Sequence, residues 1–213
     1  MLIIGLTGSI AMGKSTIAEF FQNAGVPTIS ADEIVHNLYA GRAVNEIEKK
    51  FPGSTRNNVV DRGQLMKILN SGSDDQKSKN FADLGEIIHP MVRDEEWQFL
   101  KATKNAGAKM AVIDIPLLFE TAGEELMDII VLASAPHHIQ RERALARKDM
   151  TVEKFNTLNS KQLADKIKRE KADFVIDTGC TLSETERAVK KLISQLENKP
   201  AGAFRRWVTQ YGE

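Results

Sequence analysis

Leu2-Ile3-Ile4-Gly5-Leu6-Thr7-Gly8-Ser9-Ile10-Ala11-Met12-Gly13-Lys14-Ser15-Thr16-Ile17-Ala18-Glu19-Phe20-Phe21 opens the chain, and its reading decides the fold. Residues 2–6 are a short apolar run bounded by glycine, the pattern of a buried strand. Ile17, Phe20, Phe21 and Ala24 then recur at the i, i+3, i+4, i+7 spacing of a helix face turned toward a core. Between them, Gly8 to Ser15 matches G-x-x-x-x-G-K-[ST], in the strand-to-helix setting that its chemistry requires. The glycines let the backbone wrap an anion, so that successive N–H groups and the helix N-terminus face phosphate oxygens. Lys14 reaches the β- and γ-phosphates, and the Ser15 hydroxyl is a ligand for Mg²⁺. A nucleoside triphosphate site follows, with Gly8, Ser9, Ile10, Ala11, Met12, Gly13, Lys14 and Ser15 as its cradle.

Farther along, residues 27–30 read as a short strand and residues 110–115, 129–133 and 174–176 as short apolar runs, alternating with helical stretches such as 31–39, with Gly25 as the cap that ends the first helix. Such alternation predicts a parallel sheet covered on both faces, an α/β fold. Residues 62–107 have helical periodicity without a convincing strand, which predicts a helical insertion interrupted at Pro90. Ser183 and Glu186 have capping-box spacing, ahead of an apolar stripe at Val189, Leu192, Ile193 and Leu196. Phe204, Trp207 and Tyr211 stud the tail, for which docking and fraying both stay open. The expected organisation is one unit: core near 1–60, 108–135 and 170–197, a helical insertion near 61–107, a lid near 136–169 and a tail at 198–213.

Composition narrows the function. The 213 residues carry 29 basic and 29 acidic side chains, a formal net charge of zero, which removes the basic excess of a general nucleic-acid binder. One cysteine, Cys180, cannot form an internal bridge, and no Cys/His group has zinc spacing. The start lacks a basic n-region, and no apolar run approaches the ~18 residues of a membrane helix, so a cytoplasmic protein is expected. Cys180 follows Gly179 without a nearby His and is read as incidental.

A triphosphate loop does not say what is done with the nucleotide. The Asn-Lys-x-Asp and Asp-x-x-Gly signatures of GTPase switches are absent. Asp32, just after the second strand, is either an acid that takes a proton from a substrate hydroxyl or holds a Mg²⁺-bound water, or an N-cap of the following helix. Asp114 ends an apolar run and is either a second metal-side acid or a plain strand-end carboxylate. Arg143 and Arg147 are four apart, hence on one face of a helix: a lid that closes two guanidiniums over phosphate, or a solvated face flanked by Glu142 and Asp149. His89 and Arg93 lie in the insertion, where spacing alone supplies no chemical partner.

These residues form an ordered series: Leu6-Thr7-Gly8 into the loop, Ala31-Asp32, Asp61-Arg62 with Leu65, His89-Pro90, Pro116-Leu117-Leu118-Phe119-Glu120, Gln140-x-x-Arg143-x-x-x-Arg147, Gln162, and Ala172-Asp173 with Ile176-Asp177. From residue 2 to about 196 the chain resembles the dephospho-coenzyme A kinase family. That resemblance implies a three-layer α/β/α P-loop kinase core with a helical coenzyme A-binding insertion and a lid helix. It implies ATP-dependent phosphorylation of the ribose 3′-hydroxyl of dephospho-coenzyme A, the last step of coenzyme A synthesis, with Mg²⁺. Asp32, Lys14, Arg143 and Arg147 would be catalytic, Thr16 and Arg143 would join the loop on ATP, and Thr7, Asp32, His89, Arg93 and Leu117 would bind the acceptor. Ser15 would hold Mg²⁺, with Asp32 reaching it through water. The expected partners are ATP and dephospho-coenzyme A, with no nucleic acid or membrane, and the expected state is a monomer, with a weak oligomer as the alternative. The chain departs from the family pattern at Ser30, where Asp-Ala-Asp is usual, at Ser9, Ala11 and Met12, where glycine is commoner, and at Thr178, where Asn is usual. A different small-metabolite or nucleoside-monophosphate kinase, or a non-catalytic ATP-binding regulator, are the rival expectations.

Overall fold

The structure, a computed structural model, describes residues 1–212. The chain divides into two compact units: residues 1–30 with 99 onward, and residues 31–98.

The first unit is built on a five-stranded parallel sheet: β1 (Leu2–Thr7), β2 (Thr28–Ser30), β5 (Met110–Asp114), β6 (Ile129–Ser134) and β7 (Phe174–Asp177), in the order β2-β5-β1-β6-β7. β1 is central and wholly buried, which explains why its sequence runs apolar without alternation. Its neighbours lie on opposite sides, so the carboxyl end of β1 is the switch point at which such sheets bind ligands. Helix α1 (Lys14–Asn23) leaves that end and buries Ile17 and Phe21 against β1 and α9 (Leu182–Leu196). Ala24 is exposed, because α1 ends one residue earlier: Gly25 and Val26 donate to the carbonyls of Gln22 and Phe21, which closes the helix as a Schellman turn.

The capping box of α9 forms at Thr181 and Glu184, two residues ahead of the Ser183/Glu186 pair that was expected. Both pairs have the right spacing, and the earlier one wins because the helix begins at Leu182, placing Ser183 inside the first turn. Helices α6 (His137–Leu145), α7 (Val152–Ser160) and α8 (Asp165–Lys171) connect β6 to β7. The tail docks rather than frays: α10 (Ala203–Tyr211) buries Trp207 completely, with its indole N–H donating to Leu126 O at 2.9 Å.

The second unit contains α2 (Ala31–Tyr39), α3 (Val44–Lys50), a hairpin of β3 (Thr55–Arg56) and β4 (Val59–Val60), α4 (Arg62–Leu69) and most of α5 (Asp74–Asn105). The hairpin went unforeseen because its strands have two residues each. Asn57 and Asn58 both take positive φ, 52° and 59°, as a two-residue primed turn requires. Asp61 caps α4 by accepting Gln64 N–H at 3.0 Å. Pro90 does not interrupt α5, which is one helix of 32 residues. A proline removes one hydrogen bond and costs ~3 kcal/mol, and the buried side chains on either side of it, Ile88 and Trp97 among them, hold the helix through that loss.

Candidate functional site

The phosphate loop begins where β1 ends. Met12 N–H donates to Ser9 O at 3.1 Å, making a tight turn with Ile10 and Ala11 at its centre. Ala11 takes φ 60°, a left-handed conformation that costs a non-glycine residue about 1 kcal/mol, and its methyl is buried against Ala144 and Phe155. Gly13, at φ 79°, lies so close to Thr178 that a Cβ would meet that side chain at 3.0 Å. At Gly8, a Cβ would come within 2.9 Å of the Ala133 carbonyl oxygen. The loop then feeds α1, whose first N–H groups have no intrahelical carbonyl and are donors for an anion.

Lys14 heads α1 and pairs with the Asp114 carboxylate, which is 4% exposed at the end of β5. Strand register makes this meeting: Leu6 and Ser30 both stand opposite Asp114, so the carboxyl ends of β1, β2 and β5 are level. Ser15 is exposed beside Lys14, and Thr16 is half-buried. Thr7 is buried and donates its hydroxyl to Pro116 O at 3.2 Å, next to exposed Leu117. Asp32 is exposed at the second position of α2, inside the first turn rather than at the capping position.

Arg143 on α6 faces the loop after β7. Its guanidinium donates to Thr178 O at 2.7 Å and to Thr178 Oγ1 at 3.2 Å, while Thr178 Oγ1 donates to Met12 O at 2.8 Å. Thr178, the departure from Asn, therefore ties the phosphate loop, α6 and β7 together. Arg147 does not share a helix face with Arg143. Helix α6 ends at Leu145, and Arg147 lies exposed in the following turn, closed by Arg147 N–H to Ala144 O and by Asp149 at φ 60°. The four-residue spacing presumed a helix that stops two residues too soon.

In the second unit, His89 and Arg93 are one turn apart on α5. His89 is exposed, with its ring over Gly85; Arg93 pairs with Glu96 at 2.9 Å. Burial pushes the Glu96 carboxyl above its ordinary value, against the pull of Arg93.

Three polar side chains that stand in the ordered series of the sequence but were given no role there also meet the loop or its supports. Ile10 N–H donates to Gln162, and Gln140 donates to Ile10 O, both at 3.0 Å. Glu120 accepts Leu163 N–H at 2.9 Å and pairs at 2.9 Å with Lys168, which is wholly buried. Burial alone would raise the Glu120 pKa, but Lys168 and the Leu163 N–H outweigh it and hold it below the usual value. A lowered carboxylate stabilises the fold above its unfolded-state pKa, and that contribution disappears as pH falls through the folded value. Glu120→Gln should accordingly flatten the acid limb of a stability-against-pH curve measured by urea unfolding; an unchanged limb would remove the pair from the acid response.

A cleft of about 570 Å³ opens beside the loop, with Ser9, Met12, Pro136, His137, Gln140 and Arg169 in its wall. That volume lies within the range of small-ligand sites. No helix among the described residues is long and apolar enough to cross a membrane.

Comparison with known proteins follows the same lines. Residues 2–184 match the family model described as dephospho-CoA kinase. A dephospho-CoA kinase of Bartonella quintana is 48% identical over 197 residues, spanning 92% of this chain and 98% of that one. Among solved structures, TT1252 from Thermus thermophilus superposes with a TM-score of 0.77 at 27% identity, covering 92% of this chain and 97% of its own. The fold is also that of a dephospho-CoA kinase from Campylobacter jejuni, with a TM-score of 0.62, 24% identity and coverage of 91% and 96%.

Proposed function

The chain belongs to the dephospho-CoA kinase family, and from that premise we propose how its own residues carry the reaction. The enzyme transfers the γ-phosphoryl group of ATP to the ribose 3′-hydroxyl of dephospho-CoA, giving CoA and ADP. The single observation that carries the assignment of roles is the loop Gly8 to Ser15 at the carboxyl end of the central strand, with its lysine against the buried Asp114.

ATP lays its triphosphate along the loop N–H groups, and Gly8 through Thr16 form its bed. Lys14 turns from Asp114 to the β- and γ-oxygens, so the ion pair holds the ammonium ready at the site before nucleotide arrives. Arg143 meets the nucleotide from the lid side, and Arg147, free of the helix, reaches in from the turn beyond it. As the acceptor oxygen forms its bond to the γ-phosphorus, the bond from that phosphorus to the β,γ-bridging oxygen breaks, and the hydroxyl proton passes to Asp32. The transition state is loose, so positioning and charge stabilisation supply most of the acceleration. Thr7, Leu117, His89 and Arg93 are assigned to the acceptor. The organisation into core, helical acceptor-binding insertion near 61–107 and lid near 136–169 belongs to the same proposal, as does a cytoplasmic monomer acting without nucleic acid.

The donor set fits Mg²⁺. Ser15 supplies an exposed hydroxyl and Asp114 and Asp32 supply carboxylates, all hard oxygen donors, and among the described residues no His, Cys, Asp and Glu cluster forms a protein-only cage. Mg²⁺ in phosphoryl-transfer sites leans on phosphates and water instead. Ser15 would hold it directly and Asp32 through water, and when bound it neutralises charge on the phosphate oxygens.

ADP release measured with dephospho-CoA, AMP, CMP and shikimate as acceptors tests the assignment: turnover is expected with dephospho-CoA alone, and faster turnover with another acceptor would overturn it. Asp32→Asn should leave ATP affinity intact and lower kcat by about 10²-fold. Near-normal transfer in that variant would remove Asp32 from the mechanism.

A further inference from the structure

We propose that Gln140 and Gln162 are positioning residues that set the aim of the phosphate loop by clamping Ile10 from both sides. The inference rests on the reading that the loop Gly8 to Ser15 grips the triphosphate of ATP.

Ile10 N–H donates to Gln162 Oε1 at 3.0 Å, and Ile10 O accepts from Gln140 Nε2 at 3.0 Å. These two groups belong to the two peptide planes that flank the Ile10 Cα. Holding both planes fixes φ and ψ of Ile10, and Ile10 is a central residue of the Ser9–Met12 turn. The next residue, Ala11, is the strained left-handed one, a conformation that persists only where its surroundings over-determine it. Rotation at Ile10 would swing the amides of the following residues away from the phosphates, so an orientation set here is felt along the bed of donors.

Neither glutamine is a loose surface group. Gln140 is 2% exposed and donates also to Asn159 Oδ1 at 3.2 Å. Gln162 sits in the connection between α7 and α8, and its neighbour Leu163 is held by Glu120, itself paired with buried Lys168. The two clamps therefore come from separate elements of the β6-to-β7 connection, each with its own anchor.

The two bonds differ in chemical sense. Gln162 acts as an acceptor, which a carboxylate can replace, whereas Gln140 acts as a donor, which a carboxylate cannot. The same substitution should thus have opposite outcomes. Gln162→Met and Gln140→Glu are expected to raise the KM for ATP by about tenfold, with the KM for dephospho-CoA unchanged, while Gln162→Glu recovers most of the affinity. Amide hydrogen exchange at Ile10 should accelerate in Gln162→Met and stay slow in Gln162→Glu. Equal behaviour of Gln162→Met and Gln162→Glu, or a change in melting temperature alone with both KM values unmoved, would overturn the clamp. Should Gln140→Glu fail to fold, the pair of variants at position 162 decides. A wild-type protein that does not turn over ATP with dephospho-CoA would defeat the kinase assignment, and exchange at Ile10 would still judge the clamp by itself.

Discussion

Lys14→Ala lowers kcat with ATP and dephospho-CoA by about 10³-fold or more while the protein stays folded. Lys14 is the first residue of α1, with its side chain 13% exposed and its ammonium on Asp114, at the level where β1, β2 and β5 end. In phosphoryl transfer the protein does little covalent work. Charge placed at the bridging and γ-oxygens before the reaction begins is worth several orders of magnitude in a site shielded from water. Loss of the amine removes that charge and also one partner of a buried carboxylate, so a modest fall in stability accompanies the loss of rate. The core of the first unit is formed by Leu2, Ile4, Leu6, Ile17, Phe21, Val112, Val131 and their neighbours, all of which the substitution keeps, so the fold persists. Steady-state ADP release beside circular dichroism makes the check: a rate within tenfold of wild type in a folded protein would sink the role given to Lys14.

Trp207→Ala destabilises the first unit by about 3–5 kcal/mol, the range for deleting a fully buried large aromatic side chain. Trp207 is 0% exposed, its indole N–H satisfies Leu126 O, and its ring lies 5.1 Å from that of Tyr211. Beside it, Asp128 binds three backbone donors at once: Ile3 N–H of the central strand at 2.9 Å, Gly202 N–H at 2.7 Å and Ala203 N–H at 2.6 Å. Arg206 adds a bond to Met127 O at 2.8 Å. The tail thus bears on the strand that feeds the phosphate loop. A chain of this size shifts its melting temperature by roughly 2–4 °C per kcal/mol, so a fall near 10 °C is expected. Urea unfolding that shows a loss below about 1 kcal/mol would place α10 outside the cooperative core.

The strand, loop and helix at residues 2–23 were legible because each signal is local: an apolar run, glycines at fixed offsets and a 3.6-residue period. The other strands of the parallel sheet followed from the same alternation. Where local signals compete, the outcome turned on a boundary. Thr181 and Ser183 both stand at capping-box spacing from a glutamate, and only the start of α9 at Leu182 chooses between them. Arg143 and Arg147 have helical spacing, but α6 stops at Leu145. Pro90 has its usual local cost and is overruled by packing along α5.

The triphosphate loop, the α/β class and the kinase family were written in the order and spacing of residues, because backbone conformation and burial over one strand or helix depend on neighbours in the chain. Tertiary structure alone decided that Lys14 meets Asp114, that Thr178 links Met12 to Arg143, that two glutamines grip Ile10 and that Trp207 closes the tail onto Leu126. Those partners stand up to 166 positions apart. They meet because β5 and β6 insert on either side of β1, and no periodicity within one segment encodes which distant strand becomes its neighbour.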